Sequence, residues 1–115
     1  MSDYKKLETK IGVKFKNEAL IKTAFVHKSY VNEHKNAEGL EANERMEFLG
    51  DAILEYIVSK ELYNTFPDKE EGYLTALRAN LVNTISLSEV AKNLDLGSEL
   101  YLSTGEEDGG GRANT

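Results

Sequence analysis

Residues 43–58, with the sequence NERMEFLGDAILEYIV, have the pattern of one helix with two kinds of face. At about 100° per residue, the acidic side chains fall inside an arc of roughly 80°; they are Glu44, Glu47, Asp51 and Glu55. Apolar side chains cover most of the remaining circumference, and a helix that is apolar nearly all round is normally buried. Because buried like charges are costly without a compensating cation, the pattern predicts a positive charge beside these acids.

The composition of the chain bounds the class of protein. Its 115 residues, 40% of them apolar, predict a single domain with a modest core. No apolar run is long enough to span a membrane, and the N-terminus has no apolar segment typical of a secretory signal. There is no cysteine, which excludes disulfides and thiolate metal sites. These features favour a cytoplasmic protein.

The net charge of −6, taken alone, argues against a nucleic-acid-binding protein, which usually has a basic excess. Local patches and bound divalent cations, however, decide binding more than net charge does. A run of lysines near the N-terminus is interpreted as a solvated face in preference to an RNA contact; it comprises Lys5, Lys6, Lys10, Lys14 and Lys16.

The spacing of apolar residues and turn signals predicts an all-helical chain. The predicted helices cover residues 4–11, 18–27, 43–64, 70–82 and 84–94. Asp3 and Asn17 are the predicted N-caps of the first two helices, and Gly12 is the predicted stop of the first. The third helix is predicted to be capped by Asn43 or to start slightly earlier. Three caps are possible for the last helix: Asn83, Thr84, or a box of Ser86 and Glu89.

Two segments lack a helical pattern. Residues 29–41 are polar and contain a glycine, which predicts a mobile loop. The glycine-rich end from Thr104 to Thr115 is predicted to be disordered, unless the sequence stops before a further element.

Residues 44–54, ERMEFLGDAIL, closely resemble the signature of the ribonuclease III family, whose usual form is close to ERLEFLGDAVL. Further matches follow the family's order: LETKIGVKF with ALIKTAFVHKSY, then FPDKEEGYLTALRANLV, then LDLGSELYLSTGEEDGGGR. The resemblance covers essentially the whole chain. It implies an all-α fold like the ribonuclease III endonuclease domain over residues 1–115, incomplete at its C-terminal end.

The resemblance also implies what lies outside this sequence. In the family, the Gly-Gly-Arg run leads into a helix of the form Ile-Leu-Ala-Asp-Ala-x-Glu-Ala, whose Asp and Glu complete the metal site. The sequence ends at Thr115, before that helix and before the double-stranded-RNA-binding domain that usually follows. The 115 residues alone are therefore expected to cleave little or no RNA.

The implied activity is Mg²⁺-dependent endonucleolytic cleavage of double-stranded RNA, with Mn²⁺ as a possible substitute. The products carry a 5′-phosphate and a 3′-hydroxyl, and the family's common duty is the processing of rRNA and mRNA. By resemblance, Glu47 is a metal ligand and Asp51 is a catalytic carboxylate that binds the metal directly or through a water. Glu44 matches an accessory acid, whereas Glu55 matches no catalytic position.

A homodimer is also implied. Phe48 lies beside the acids, and a large apolar group next to a functional cleft often marks a partner surface. Family members pair their signature helices about a twofold axis, so that two acidic clusters cut opposite strands and leave short 3′ overhangs. Phe48 is the predicted anchor of this interface.

Competing interpretations come from other classes of protein. One is a catalytically silent helical module that binds RNA or protein in a larger particle. Such domains tend to lose the acids, so the presence of Glu44, Glu47 and Asp51 favours the enzyme. A generic dimerisation domain would explain Phe48 but not the acids. His27 is predicted to be structural, since the carboxylates leave no need for a histidine ligand.

Overall fold

The computed structural model describes residues 4–35 and 39–113. The helices are α1 (Lys5–Ile11), α2 (Glu18–Ala24), α3 (Lys28–Glu33), α4 (Glu44–Thr65), α5 (Glu71–Leu81), α6 (Thr84–Asn93) and α7 (Thr104–Asp108), with a 3₁₀ helix at Leu96–Glu99. An isolated parallel bridge joins Val26 to Tyr101. The predicted all-α class is confirmed. Among the described residues, no helix is both long and apolar enough to cross a membrane.

Local sequence signals set most helix ends as predicted. The Asn17 side chain caps α2 by accepting hydrogen bonds from the N–H groups of Ala19 and Leu20 at 3.0 and 3.3 Å. Gly12 ends α1 in the left-handed conformation, with φ of 72°. The cap of α6 is Asn83, whose Oδ1 accepts the Ser86 N–H at 2.8 Å. The predicted cap Asp3 lies outside the described residues.

The region between α2 and α4 differs from the prediction. Helix α2 ends at Ala24 and does not reach residue 27, and Lys28–Glu33 is a helix, although residues 29–41 were predicted to be a loop. The reason is an unusual cap: Nδ1 of His27 accepts the Ser29 N–H at 3.1 Å. Residues 36–38 of the predicted loop lie outside the described residues.

His27 also joins α3 to a distant segment. Because Nδ1 of His27 accepts the Ser29 N–H, it carries no hydrogen of its own. The Ser29 hydroxyl, 2.7 Å away, is therefore the donor in their second hydrogen bond. Oγ of Ser29 in turn accepts the Ser103 N–H at 3.0 Å. This chain of hydrogen bonds connects the start of α3 to the residue that precedes α7, which agrees with the structural role predicted for His27.

We expect His27→Ala to lower the free energy of unfolding of this chain by about 1–2 kcal/mol, because both the cap and the partner of Ser29 are lost. His27→Asn should retain most of the stability, since asparagine is a strong N-cap. Exposed Lys28 provides the matched control, and Lys28→Ala should change stability by less than about 0.5 kcal/mol. Urea denaturation measures all three variants. Equal losses for His27→Ala and His27→Asn would contradict the capping role.

The core lies at the N-terminal side of the fold. Tyr4, Leu7 and Phe25 form its buried centre, and Ile21, Leu100 and other partly buried residues pack against them. Their rings and side chains come from α1, α2 and the segment around the 3₁₀ helix. This arrangement brings residues near both ends of the described chain into one cluster.

Helix α4 is much less buried than its sequence predicted. Among the described residues of α4, Leu62 alone is buried, whereas Phe48 is 84% exposed and Tyr56 is 65% exposed. With 22 residues, the helix is about 33 Å long, and it packs along α5. Its apolar circumference is therefore open to solvent over much of its length, and the prediction of a buried helix is wrong for this chain.

The N-terminal end of α4 is fixed by Asn43. The predicted side-chain cap is absent at this residue. Instead, Nδ2 of Asn43 donates to the Ala24 carbonyl at 2.9 Å, and its N–H donates to the Val26 carbonyl at 2.9 Å. These bonds tie the first turn of α4 to the connection between α2 and α3.

Of the two alternatives for the C-terminal segment, disorder is wrong through Ala113, whereas a further element beyond it stays a prediction. Helix α7 is capped by Ser103, whose Oγ accepts the Glu106 N–H at 3.1 Å. Arg112 then donates to the carbonyls of Gly97 and Leu100 at 2.7 and 2.8 Å. The chain passes close to α7 at Gly111, where only glycine fits, because a Cβ there would lie 2.9 Å from the Glu106 carbonyl oxygen.

Candidate functional site

The acidic face of α4 is the candidate site. All four acids are exposed, and they line one depression of about 820 Å³ together with Phe48. The predicted grouping is therefore present: Glu44, Glu47, Asp51 and Glu55 share one face of a single helix. Because water reaches these carboxylates, burial within this chain does not by itself require a compensating cation.

Two features of the start of α4 position and stabilise Glu44 and Glu47. The bonds of Asn43 fix the start of α4, and Glu44 and Glu47 lie in its first turn. The N-terminal end of a helix carries a partial positive charge, which stabilises a nearby carboxylate by about 0.3–1 kcal/mol. Asp51 lies one turn beyond Glu47, where this effect has decayed.

Leu87 from α6 also lines the depression. Sequence reasoning missed this residue. It carries no reactive group, and its proximity to the acids depends on how α5 and α6 fold back beside α4. The cap by Asn83 sets where α6 starts and so helps to place Leu87.

Arg78 forms a further link between neighbouring helices. Its Nη1 donates to Oγ of Ser59 at 2.8 Å, which connects α5 to α4. Neither Arg78 nor His27 is among the residues that line the acidic depression. The two residues thus contribute to packing and capping in this chain.

The donor set fits part of a divalent-cation site. Mg²⁺ takes oxygen ligands and is commonly held by one or two carboxylates, and Glu47 and Asp51 supply two that are one helical turn apart. Within residues 4–35 and 39–113, no group of three or more potential ligands is placed to share one ion. In the described residues these two carboxylates are therefore not joined by a third potential ligand.

Gly50 lies inside α4 between the two candidate ligands. A Cβ built at this residue meets no atom within 4 Å in the described structure. Since alanine favours a helix interior over glycine by about 0.8–1.0 kcal/mol, we expect Gly50→Ala to raise the stability of this chain by about that amount. Thermal unfolding should show an increase of about 4–8 °C per kcal/mol. An unchanged or lowered midpoint would contradict the open space around Gly50.

Comparison with known proteins identifies close relatives of the chain. The model of the Ribonuclease-III-like family matches residues 17–115. Ribonuclease 3 of Listeria monocytogenes is 46% identical over 112 residues, which cover 97% of this chain and 48% of the relative. Ribonuclease 3 of Desulforamulus reducens is 49% identical over 107 residues, covering 93% of this chain and 43% of the relative. The chain thus spans about half the length of these curated relatives.

A solved structure shares the fold. The nuclease domain of ribonuclease III from Campylobacter jejuni matches with a TM-score of 0.84 and 38% sequence identity, over 96% of this chain and 73% of that one. That domain is described as flexible in a region involved in dimer formation. The all-α architecture and the family resemblance predicted from the sequence are both confirmed. From its family match, its relatives and its shared nuclease-domain fold, this chain belongs to the ribonuclease III family.

Proposed function

We propose that this chain is the N-terminal part of the catalytic domain of an Mg²⁺-dependent endoribonuclease that cleaves double-stranded RNA. The observation that carries the proposal is the pair Glu47 and Asp51, exposed one turn apart on α4 beside the same depression. A solvated acidic helix face is common, but here it coincides with the signature of a ribonuclease family. Mn²⁺ is the proposed substitute metal.

The reaction is hydrolysis of a phosphodiester to a 5′-phosphate and a 3′-hydroxyl. When bound, a divalent cation makes water nucleophilic near neutral pH and neutralises charge on the phosphate and the leaving oxygen. Glu47 and Asp51 are the residues of this chain that would hold it. Within residues 4–35 and 39–113, neither carboxylate has a hydrogen-bond or ion-pair partner to displace, and both side chains are exposed and accessible to a duplex.

Asp51 is the proposed catalytic carboxylate. It would hold the metal directly or through a water that a carboxylate oxygen of Asp51 orients by accepting a hydrogen bond. Glu44 is the proposed accessory acid at the N-terminal rim of the depression, and Glu55 is a bystander. The two carboxylates of α4 are only part of the proposed ligand set, so the 115 residues alone should cleave little or no RNA.

The proposed assembly is a homodimer. Phe48 is 84% exposed and lines the same depression as the acids. A contact between two copies through this residue would place one acidic cluster from each copy on the same duplex. Cuts in opposite strands with a short stagger then leave short 3′ overhangs. We place the substrates among duplex regions of rRNA and mRNA precursors in the cytoplasm.

The test uses the full-length protein with an end-labelled RNA duplex. We expect cleavage with Mg²⁺ or Mn²⁺, products with 5′-phosphate and 3′-hydroxyl ends, and no cleavage when a chelator is added. Tight binding of the duplex without cleavage in either metal would overturn the proposal. That outcome would support the silent RNA-binding module instead.

A further inference from the structure

The charge of the chain is strongly divided along the sequence. Residues 1–35 contain eight lysines and four acidic residues, giving +4, whereas residues 36–115 contain six basic and 16 acidic residues, giving −10. The acidic part includes the depression on α4. The net charge of −6 therefore conceals a basic unit formed by the N-terminal segment.

The lysines of helix α1 are exposed, and Nζ of Lys10 also donates to the Leu94 carbonyl at 3.5 Å. Tyr4 and Leu7 are buried in the core, whereas Lys5, Lys6 and Lys10 are exposed. At about 100° per residue, these lysines occupy an arc of roughly 140° that does not overlap the buried side. From Lys5 to Lys10 the helix rises about 7.5 Å, which suits a row of contacts along one surface.

The turn after α1 extends this surface. Lys5, Lys14 and Gly12 line one depression of about 530 Å³. The acid of α1, Glu8, is turned toward the backbone: its Oε2 accepts the Phe15 N–H at 2.7 Å. Glu8 also lines this depression, but its carboxylate is engaged with the backbone of the chain, and the two lysines outnumber it there.

From these observations we propose that the outward lysines of α1 and its following turn bind the phosphate backbone of double-stranded RNA, as a surface separate from the acidic depression. This α1 surface is defined as Lys5, Lys6, Lys10 and Lys14, and the proposal replaces the sequence-based interpretation of these lysines as a solvated face. The proposal rests on the proposed function for the identity of its ligand.

The chemistry of the α1 surface favours a duplex over a single strand. Single-strand binding sites combine positive charge with exposed aromatic rings on which bases stack. Here Tyr4 is buried and Phe15 packs against the core, so the surface offers ammonium groups without rings. Lysine contacts to phosphate are independent of sequence and depend strongly on salt.

The test measures RNA binding by this 115-residue chain in chelator, where cleavage cannot contribute. A labelled duplex of about 20 base pairs is titrated by fluorescence anisotropy between about 50 and 200 mM salt, with weak binding expected, in the range of about 10⁻⁴ to 10⁻⁶ M. The triple variant Lys6→Gln, Lys10→Gln, Lys14→Gln should reduce the slope of log K against log salt by about three. Its affinity at the lowest salt should fall by about fivefold or more.

The control removes the same charge elsewhere. The control is a second triple variant, with Lys60→Gln, Lys69→Gln and Lys92→Gln, whose lysines lie in the acidic part of the chain. It should change the affinity for the duplex by less than about twofold. Equal effects of the two triple variants, or no duplex binding by the parent chain, would overturn the proposal. Tighter binding to single-stranded RNA of the same length or to anionic lipid vesicles would overturn it as well. None of these outcomes bears on metal-dependent cleavage, which the full-length assay tests separately.

Discussion

Asp51→Asn in the full-length protein is expected to slow Mg²⁺-dependent cleavage of duplex RNA by at least about 10³-fold. That loss corresponds to about 4 kcal/mol of transition-state stabilisation, within the several kcal/mol that a bound metal supplies to charge stabilisation. The amide keeps the size of the side chain but removes the charge and one acceptor oxygen. Single-turnover cleavage with excess enzyme measures the chemical step without contributions from product release.

Glu55→Gln is the matched control for Asp51→Asn. Glu55 lies one turn further along α4, is exposed and borders the same depression, yet matches no catalytic position of the family. We expect its cleavage rate to change by less than about threefold, which is less than 0.7 kcal/mol. Duplex binding in chelator should be unchanged in both variants. Comparable losses at residues 51 and 55 would show that the acids act through their summed field and not as individual ligands.

The acidic face of α4 was predictable because it depends on spacing within one helix. Four carboxylates at intervals of three and four residues must share a face once the segment is helical. The capping signals at Asn17 and Gly12 are equally local, and both were read correctly from the sequence. The family signature then separated Glu47 and Asp51 from Glu55, a distinction that helical geometry alone does not make.

The burial of α4 was not predictable from the same pattern. Apolar periodicity shows which side chains favour removal from water, but it does not show which element covers them. In the described chain α4 packs along α5, while Leu49, Tyr56 and Ile57 remain more than half exposed. A helix can therefore have the composition of a core element and still present an open surface.

Long-range hydrogen bonds explain why α3 and residues 104–113 are ordered, although the sequence favoured a loop and a disordered end there. Arg112 orders the C-terminal segment, since its guanidinium donates hydrogen bonds to the carbonyls of residues 97 and 100 and to the carboxylate of Glu107. Glycine-rich composition indicates flexibility only when no such partner exists. In α3 the cap is a histidine, which falls outside the usual capping residues, and its support from Ser29 and Ser103 depends on the folded arrangement.

Phe48→Ala in the full-length protein is expected to weaken self-association by at least about 30-fold, equivalent to about 2 kcal/mol, which is the scale of an interface hot spot. Phe48 is 84% exposed in one copy of the chain, so it contributes little to the stability of that copy. Its contact with a second copy would remove that apolar surface from solvent. Sedimentation equilibrium across the micromolar range measures the dissociation constant.

The control for Phe48→Ala is Tyr63→Ala, which removes another exposed aromatic ring from the same helix. Tyr63 is 73% exposed but borders a different depression, between α4 and α5. We expect it to leave the dissociation constant within about threefold, which is less than 0.7 kcal/mol. Neither variant should change the unfolding free energy of the monomer by more than about 0.5 kcal/mol. A Phe48→Ala protein that sediments as the parent does would exclude Phe48 as the anchor, whereas selective dissociation would link self-association to the edge of the acidic depression.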